Sequence, residues 1–97
     1  MTTEKLKSIF TRYRAMLDKC FPQVPAVQLE EALTRKICLN LSYDRRVSHC
    51  KFMCDEAWKL ADEGRVEKAM RWLGFLQGVF WDDGTYTLDE LKNHSKP

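Results

Sequence analysis

The run Lys68-Ala69-Met70-Arg71-Trp72-Leu73-Gly74-Phe75-Leu76-Gln77-Gly78-Val79-Phe80-Trp81 constrains this chain more than any other stretch. At helical spacing it is apolar almost all the way round, and such a helix is normally buried on several sides. It also carries Gly74 and Gly78, each costing a helix about 1 kcal/mol relative to alanine. The pair gains a purpose if another backbone approaches that face closely. That backbone belongs either to a tight contact inside the monomer or to a homodimer seam or partner groove framed by Phe75, Val79 and Trp81. The run therefore demands cover from the rest of the fold, from a second copy or from a partner.

A chain of 97 residues is one domain, expected over 1–97. Its 44% hydrophobic and 31% charged residues belong to a folded soluble protein. The net charge of +2 does not by itself imply a polyanion partner. Met1-Thr2-Thr3-Glu4 leads straight into an amphipathic pattern without an apolar leader, and no apolar run approaches the ~20 residues of a membrane span. A cytosolic protein with no membrane role is expected. Its cysteines Cys20, Cys38, Cys50 and Cys54 are then reduced thiols.

The periodicity predicts an all-α fold: a compact bundle of four main helices plus a short C-terminal one. The first helix spans about Thr3 to Cys20. Leu6, Ile9, Phe10, Tyr13, Met16, Leu17 and Cys20 form its apolar face, Thr2 or Thr3 caps it, and Phe21-Pro22 ends it. A second helix is expected from Pro25, with Ala26, Leu29, Leu33, Ile37 and Leu41 as its stripe. The third runs from about Arg45 to Glu63 after a capping turn at Ser42-Tyr43-Asp44. Gly64 ends it in the left-handed conformation, and the fourth follows from about Arg65 to Trp81. So short a link predicts an antiparallel hairpin of the third and fourth helices. Asp82-Asp83-Gly84 is a turn, and Thr87 with Glu90 has capping-box spacing, which starts the last helix near Leu88. Residues 93–97 are expected to be a frayed tail. Val79-Phe80-Trp81 and Thr85-Tyr86-Thr87 have strand-like composition but are too short to form a sheet.

No residue set spells out a reaction, so catalytic, cofactor-binding and metal residues are all expected to be none. Cys50 and Cys54 lie one turn apart beside His49, but Cys20 and Cys38 do not complete the two short-spaced pairs of a structural zinc site. Buried cysteine acting as a small hydrophobe is the default. His49 and Cys50 are sequence neighbours whose side chains diverge by about 100° on a helix, which disfavours a nucleophile–base pair. Most of Trp58, Trp72, Phe75, Phe80 and Trp81 are expected in the core. Trp72 is the candidate for a partly exposed anchor, since tryptophan is enriched at interface hot spots. Phe75, Arg65 and Arg71 stand with it as the expected partner-binding set, and Gly74, Gly78 and Trp81 as the self-association set.

The basic residues Lys5, Lys7, Arg12, Arg14 and Lys19 of the first helix, with Arg45-Arg46, make the case for nucleic acid. A helix-turn-helix reading of the third and fourth helices fails, because Trp72 to Trp81 is too apolar to face base edges. Solvated basic faces are the favoured explanation.

The C-terminal third, from Gly64-Arg65-Val66-Glu67-Lys68-Ala69 through the Leu73-Gly74-Phe75-Leu76-Gln77-Gly78-Val79-Phe80-Trp81 run to Thr87-Leu88-Asp89-Glu90-Leu91, resembles a family of small uncharacterised phage and prophage proteins. These carry a similar Leu-Gly-Phe-x-Gln-Gly-x-x-Trp run followed by a Thr-x-Asp-Glu-Leu box. The resemblance implies a phage or mobile-element origin and a host bacterial cytoplasm, and no activity. Small phage proteins without a catalytic site often bind and block a host protein, so the leading expectation is a non-enzymatic counter-defence (anti-CRISPR-like) inhibitor. It would bind a host protein, with a homodimer as a further possibility. The alternative is a nucleic-acid-binding accessory protein of phage replication or recombination. Sequestration of a small nucleotide in an oligomer pocket ranks last, because no phosphate-cradling loop is present.

Overall fold

The computed structural model describes residues 1–29 and 42–96. Four helices occupy them: α1 (Thr3–Cys20), α2 (Tyr43–Asp62), α3 (Val66–Asp82) and α4 (Leu88–His94). Among the described residues there is no strand, and the fold is all-helical and compact.

Each helix begins and ends for local reasons. The Thr2 side chain accepts from Lys5 N, Ser42 from Arg45 N and Thr87 from Glu90 N, so three helices open on a hydroxyl cap that satisfies a first-turn amide. Thr87 and Glu90 complete the expected capping box. Gly64 ends α2 at φ 80° and lets Arg65 N reach Leu60 O, while Gly84 at φ 75° does the same after α3 with Thr85 N on Phe80 O.

The core follows the expected α1 stripe as far as Leu17, beyond which Cys20 is exposed. Leu6, Ile9, Phe10, Tyr13 and Leu17 of α1 meet Val47, Cys50, Met53, Cys54, Ala57, Leu60 and Ala61 of α2 and Ala69, Leu73, Leu76 and Phe80 of α3. α1 packs chiefly on α2, and α2 on α3.

The expected second helix does not start at Pro25. Residues 24–29 are non-helical, and 30–41, with Leu33, Ile37 and Leu41, lie outside the described residues. The physical reason is a competing set of partners. Ser48 Oγ donates to Pro25 O, and Val27 N donates to Ser48 O at 3.2 Å, so the 25–27 backbone bonds to α2 instead of to itself. Among the described residues the helices are three long ones and a short one; the rest of the expected second helix falls on residues 30–41, outside them.

The tail is also different. Asn93 and His94 are the last residues of α4, His94 is buried and Ser95 is half-buried, so 93–96 are folded where fraying was expected. A polar pocket for His94 holds them there.

Lys51 is the side chain that shapes the first turn of chain after α1. It lies on the core side of α2, only 1% exposed. Its Nζ donates to Phe21 O and Val24 O, each at 2.7 Å, and sits 3.1 Å from Asp18 Oδ1. The ammonium thereby satisfies carbonyls just beyond the C-terminus of α1, where the helix dipole also favours a cation. Lys51→Met keeps the apolar stem and removes the donors. Urea unfolding should show a loss of about 2–3 kcal/mol; an unchanged midpoint would mean that these carbonyls find water instead.

Candidate functional site

The outward half of α3 is the candidate site. At 100° per residue, Ala69, Leu73, Leu76 and Phe80 fall on one side of α3 and are buried. The opposite side carries Met70, Arg71, Gly74, Phe75, Gly78, Trp81 and Asp82, all exposed. Phe75 is 54% and Trp81 59% exposed, and Leu88 at the start of α4 is 56% exposed. Large apolar side chains gathered on one face mark an interaction surface more often than isolated ones do.

The anchor expected at Trp72 shifts along the helix. Trp72 is half-buried and packs on the core cluster, because its position points between the buried face and Phe75. The rings that face outward on α3 are Phe75 and Trp81, and Trp58 of α2 is exposed too, so of the five large rings expected mostly in the core only Phe80 is fully buried, α1 and α2 covering just one side of α3. Arg65 and Arg71, the other expected partner residues, are both exposed, and Lys68 between them is half-buried. Among the described residues, Gly74 and Gly78 serve no tight contact: a Cβ placed at either would meet nothing within 4 Å beyond the helix's own backbone. Beyond Gly78 the face continues into a groove of about 540 Å³ lined by Gln77, Gly78, Trp81, Leu88, Leu91, Lys92, Ser95 and Lys96.

Beneath the groove floor lies a buried polar chain that sequence reasoning missed. Gln77 Nε2 donates to Tyr13 Oη at 3.1 Å and to Ser95 Oγ at 3.0 Å, and Tyr13 Oη and His94 Nδ1 are 2.8 Å apart. Burial raises the pKa of Tyr13, so the phenol stays protonated. With Gln77 donating to it, the phenol is best satisfied by donating onward to His94 Nδ1, which must then be unprotonated. The His94 pKa is accordingly lowered, mainly by burial and secondarily by the nearby Arg12 cation. Tyr13, 0% exposed, also packs edge-on against Phe80 at 5.0 Å. The sequence placed Tyr13 on the right face, but nothing local to it pointed to residues 77, 94 and 95.

Of the four cysteines, Cys50 and Cys54 are buried, Cys20 is exposed at the end of α1 where the apolar stripe was expected to cover it, and Cys38 lies outside the described residues. Burial pushes the thiols of Cys50 and Cys54 up to about 12, which keeps them as neutral hydrophobes at neutral pH. Among the described residues, no group of three or more His, Cys, Asp or Glu is placed to hold a metal ion. His49 Nδ1 accepts from Leu29 N at 3.3 Å, and burial lowers the His49 pKa.

On the proposed phosphate-contacting surface, Lys7 is 2.9 Å from Asp62 and lies over the Trp58 ring, and Arg14 is 3.2 Å from Asp55. Arg46 is 2.6 Å from Asp83, whose side chain is only 7% exposed. Three of the expected basic contacts are thus engaged in joining helices.

The two histidines set an acid sensitivity. Each has a folded-state pKa below the ordinary 6.5, so the unfolded chain binds protons first as pH falls. Stability should be complete above about 6.5 and decline as pH drops toward the lowered values. Urea unfolding at neutral and mildly acid pH should show a smaller decline in His94→Gln than in the parent; an equal decline would place the proton uptake elsewhere. A search of known protein families, curated proteins and solved structures returned no match for this chain.

Proposed function

We propose that this protein is a non-enzymatic, phage-encoded binding protein that occludes a host protein in the bacterial cytoplasm, in the manner of a counter-defence inhibitor. The observation that carries this reading is the solvent-facing Phe75 ring on α3, with Arg71 and Trp72 one turn before it, Lys68 two turns before it and Arg65 at the start of the helix. A rigid ring on a well-packed helix loses little freedom on binding, and neighbouring cations raise the encounter rate with an acidic surface. The same reading takes α2 and α3 as an antiparallel hairpin within a helical bundle, which would present this face on a stiff support. The alternative, a nucleic-acid accessory protein, draws on the basic side chains of α1 and on Arg45-Arg46. It has less support, because Lys7, Arg14 and Arg46 lie in ion pairs.

The test compares two alanine variants. Phe75→Ala should change stability by less than about 0.5 kcal/mol, as exposed sites do. Trp72→Ala should cost about 2 kcal/mol, because that ring packs on the core. In capture from nuclease-treated bacterial lysate, the parent should retain one host protein in near-equal amount and Phe75→Ala should lose it. Nucleic acid recovered only when nuclease is omitted, with steep loss at rising salt, would favour the accessory reading instead.

A further inference from the structure

We infer that the α3 face carrying Met70, Gly74, Gly78 and Trp81 pairs with the same face of a second copy, the two α3 helices running antiparallel about a twofold axis between Gly74 and Gly78. This goes beyond binding to a host protein and does not depend on it.

Met70, Trp81 and Leu88 are 43%, 59% and 56% exposed. At about 200 Å² for a large side chain, their free area comes to roughly 300 Å² per copy. Two copies together then offer about 600 Å², close to the apolar share of the smallest specific interfaces, which bury roughly 1,200 Å² in total and are a little over half non-polar. Between these side chains the helix surface drops to bare backbone at Gly74 and Gly78, where, its own helix backbone aside, none of the described residues comes within 4 Å of a would-be Cβ.

The order of residues makes the face self-complementary. Along the axis, Met70 and Asp82 lie about 9 Å either side of the midpoint between the glycines, and Arg71 and Trp81 about 7.5 Å. Around the axis, Met70 and Trp81 fall about 40–60° to one side of the line joining the glycines, and Arg71 and Asp82 about 40–60° to the other. A twofold rotation that reverses the helix keeps each flank on its own side. It therefore brings Met70 against Trp81 of the second copy, Arg71 against its Asp82, and Gly74 against its Gly78. Every pairing occurs twice, as an isologous interface requires.

A parallel arrangement would instead set Arg71 level with Arg71 and Asp82 with Asp82. The helix dipoles also oppose in the antiparallel arrangement. The Arg46–Asp83 ion pair accounts for the neighbouring acid, whereas Asp82 itself is exposed.

Sedimentation equilibrium over a range of concentrations tests this. The parent chain should dimerise. Arg71→Asp should raise the dissociation constant by about tenfold or more, since it sets like charges together twice. The double change Arg71→Asp with Asp82→Arg should restore dimerisation. Gly78→Leu should abolish it while leaving the helical circular dichroism of the monomer intact. A parent that stays monomeric at its highest soluble concentration would overturn the inference, and so would a dimer that tolerates Gly78→Leu or whose charge swap fails to recover. Phe75 lies about 80° from the line joining the glycines, outside Arg71 and Asp82 on the same flank, so Phe75→Ala should lose host-protein capture while the dimer survives, which keeps the two results separable.

Discussion

Tyr13 joins the first helix to the last two, and much of the fold depends on that junction. Its ring packs edge-on against Phe80 of α3. Its hydroxyl takes a hydrogen from Gln77 and meets His94 at the end of α4. A phenol with no exposure can keep its hydroxyl only if both ends of that chain are in place, so α3 and α4 are fixed relative to α1 by one shared set of polar atoms. Lys51 plays the matching role at the other end of α1, where its ammonium gathers the Phe21 and Val24 carbonyls.

Fixing α3 by its inner side leaves its outer side unused by the fold. Ala69, Leu73, Leu76 and Phe80 turn inward, and Phe75, Gly74, Gly78 and Trp81 turn out. The two flanks of that outer side differ in chemistry. One is aromatic and basic, around Phe75, Lys68 and Arg71, and suits an acidic protein partner. The other, around Met70, the glycines and Trp81, is apolar and complementary to itself. A helix built in this way can serve a partner and a second copy together, with Arg71 on the border between the two surfaces.

What was legible in the sequence was whatever is decided locally. The limits of α1, the Ser42 and Thr87 caps, the glycine stops and the inward stripe of α1 from Leu6 to Leu17 depend on residues a few positions apart, and they appear where spacing places them. Within the run 68–81, periodicity alone does not tell the buried rings from the exposed ones. Phe80 and Trp81 are neighbours of similar character, and only the position of α1 and α2 decides that the first is inside. The misses were long-range. Pro25 suits a helix start, yet Ser48 takes the backbone at 25–27 away. His94 looks like part of a polar tail until the buried Tyr13 hydroxyl, 81 positions away, provides its hydrogen-bond donor.

The central claim is that the outer side of α3 is surplus to the monomer. Its most direct test is the stability of the double variant Gly74→Ala, Gly78→Ala, measured by tryptophan fluorescence in denaturant at a protein concentration low enough to exclude self-association. If nothing in the monomer needs those two positions bare, alanine should raise stability by up to about 2 kcal/mol through helix propensity alone. A loss of stability in the monomer would contradict the account, because it would mean that the glycines accommodate a contact within the fold itself.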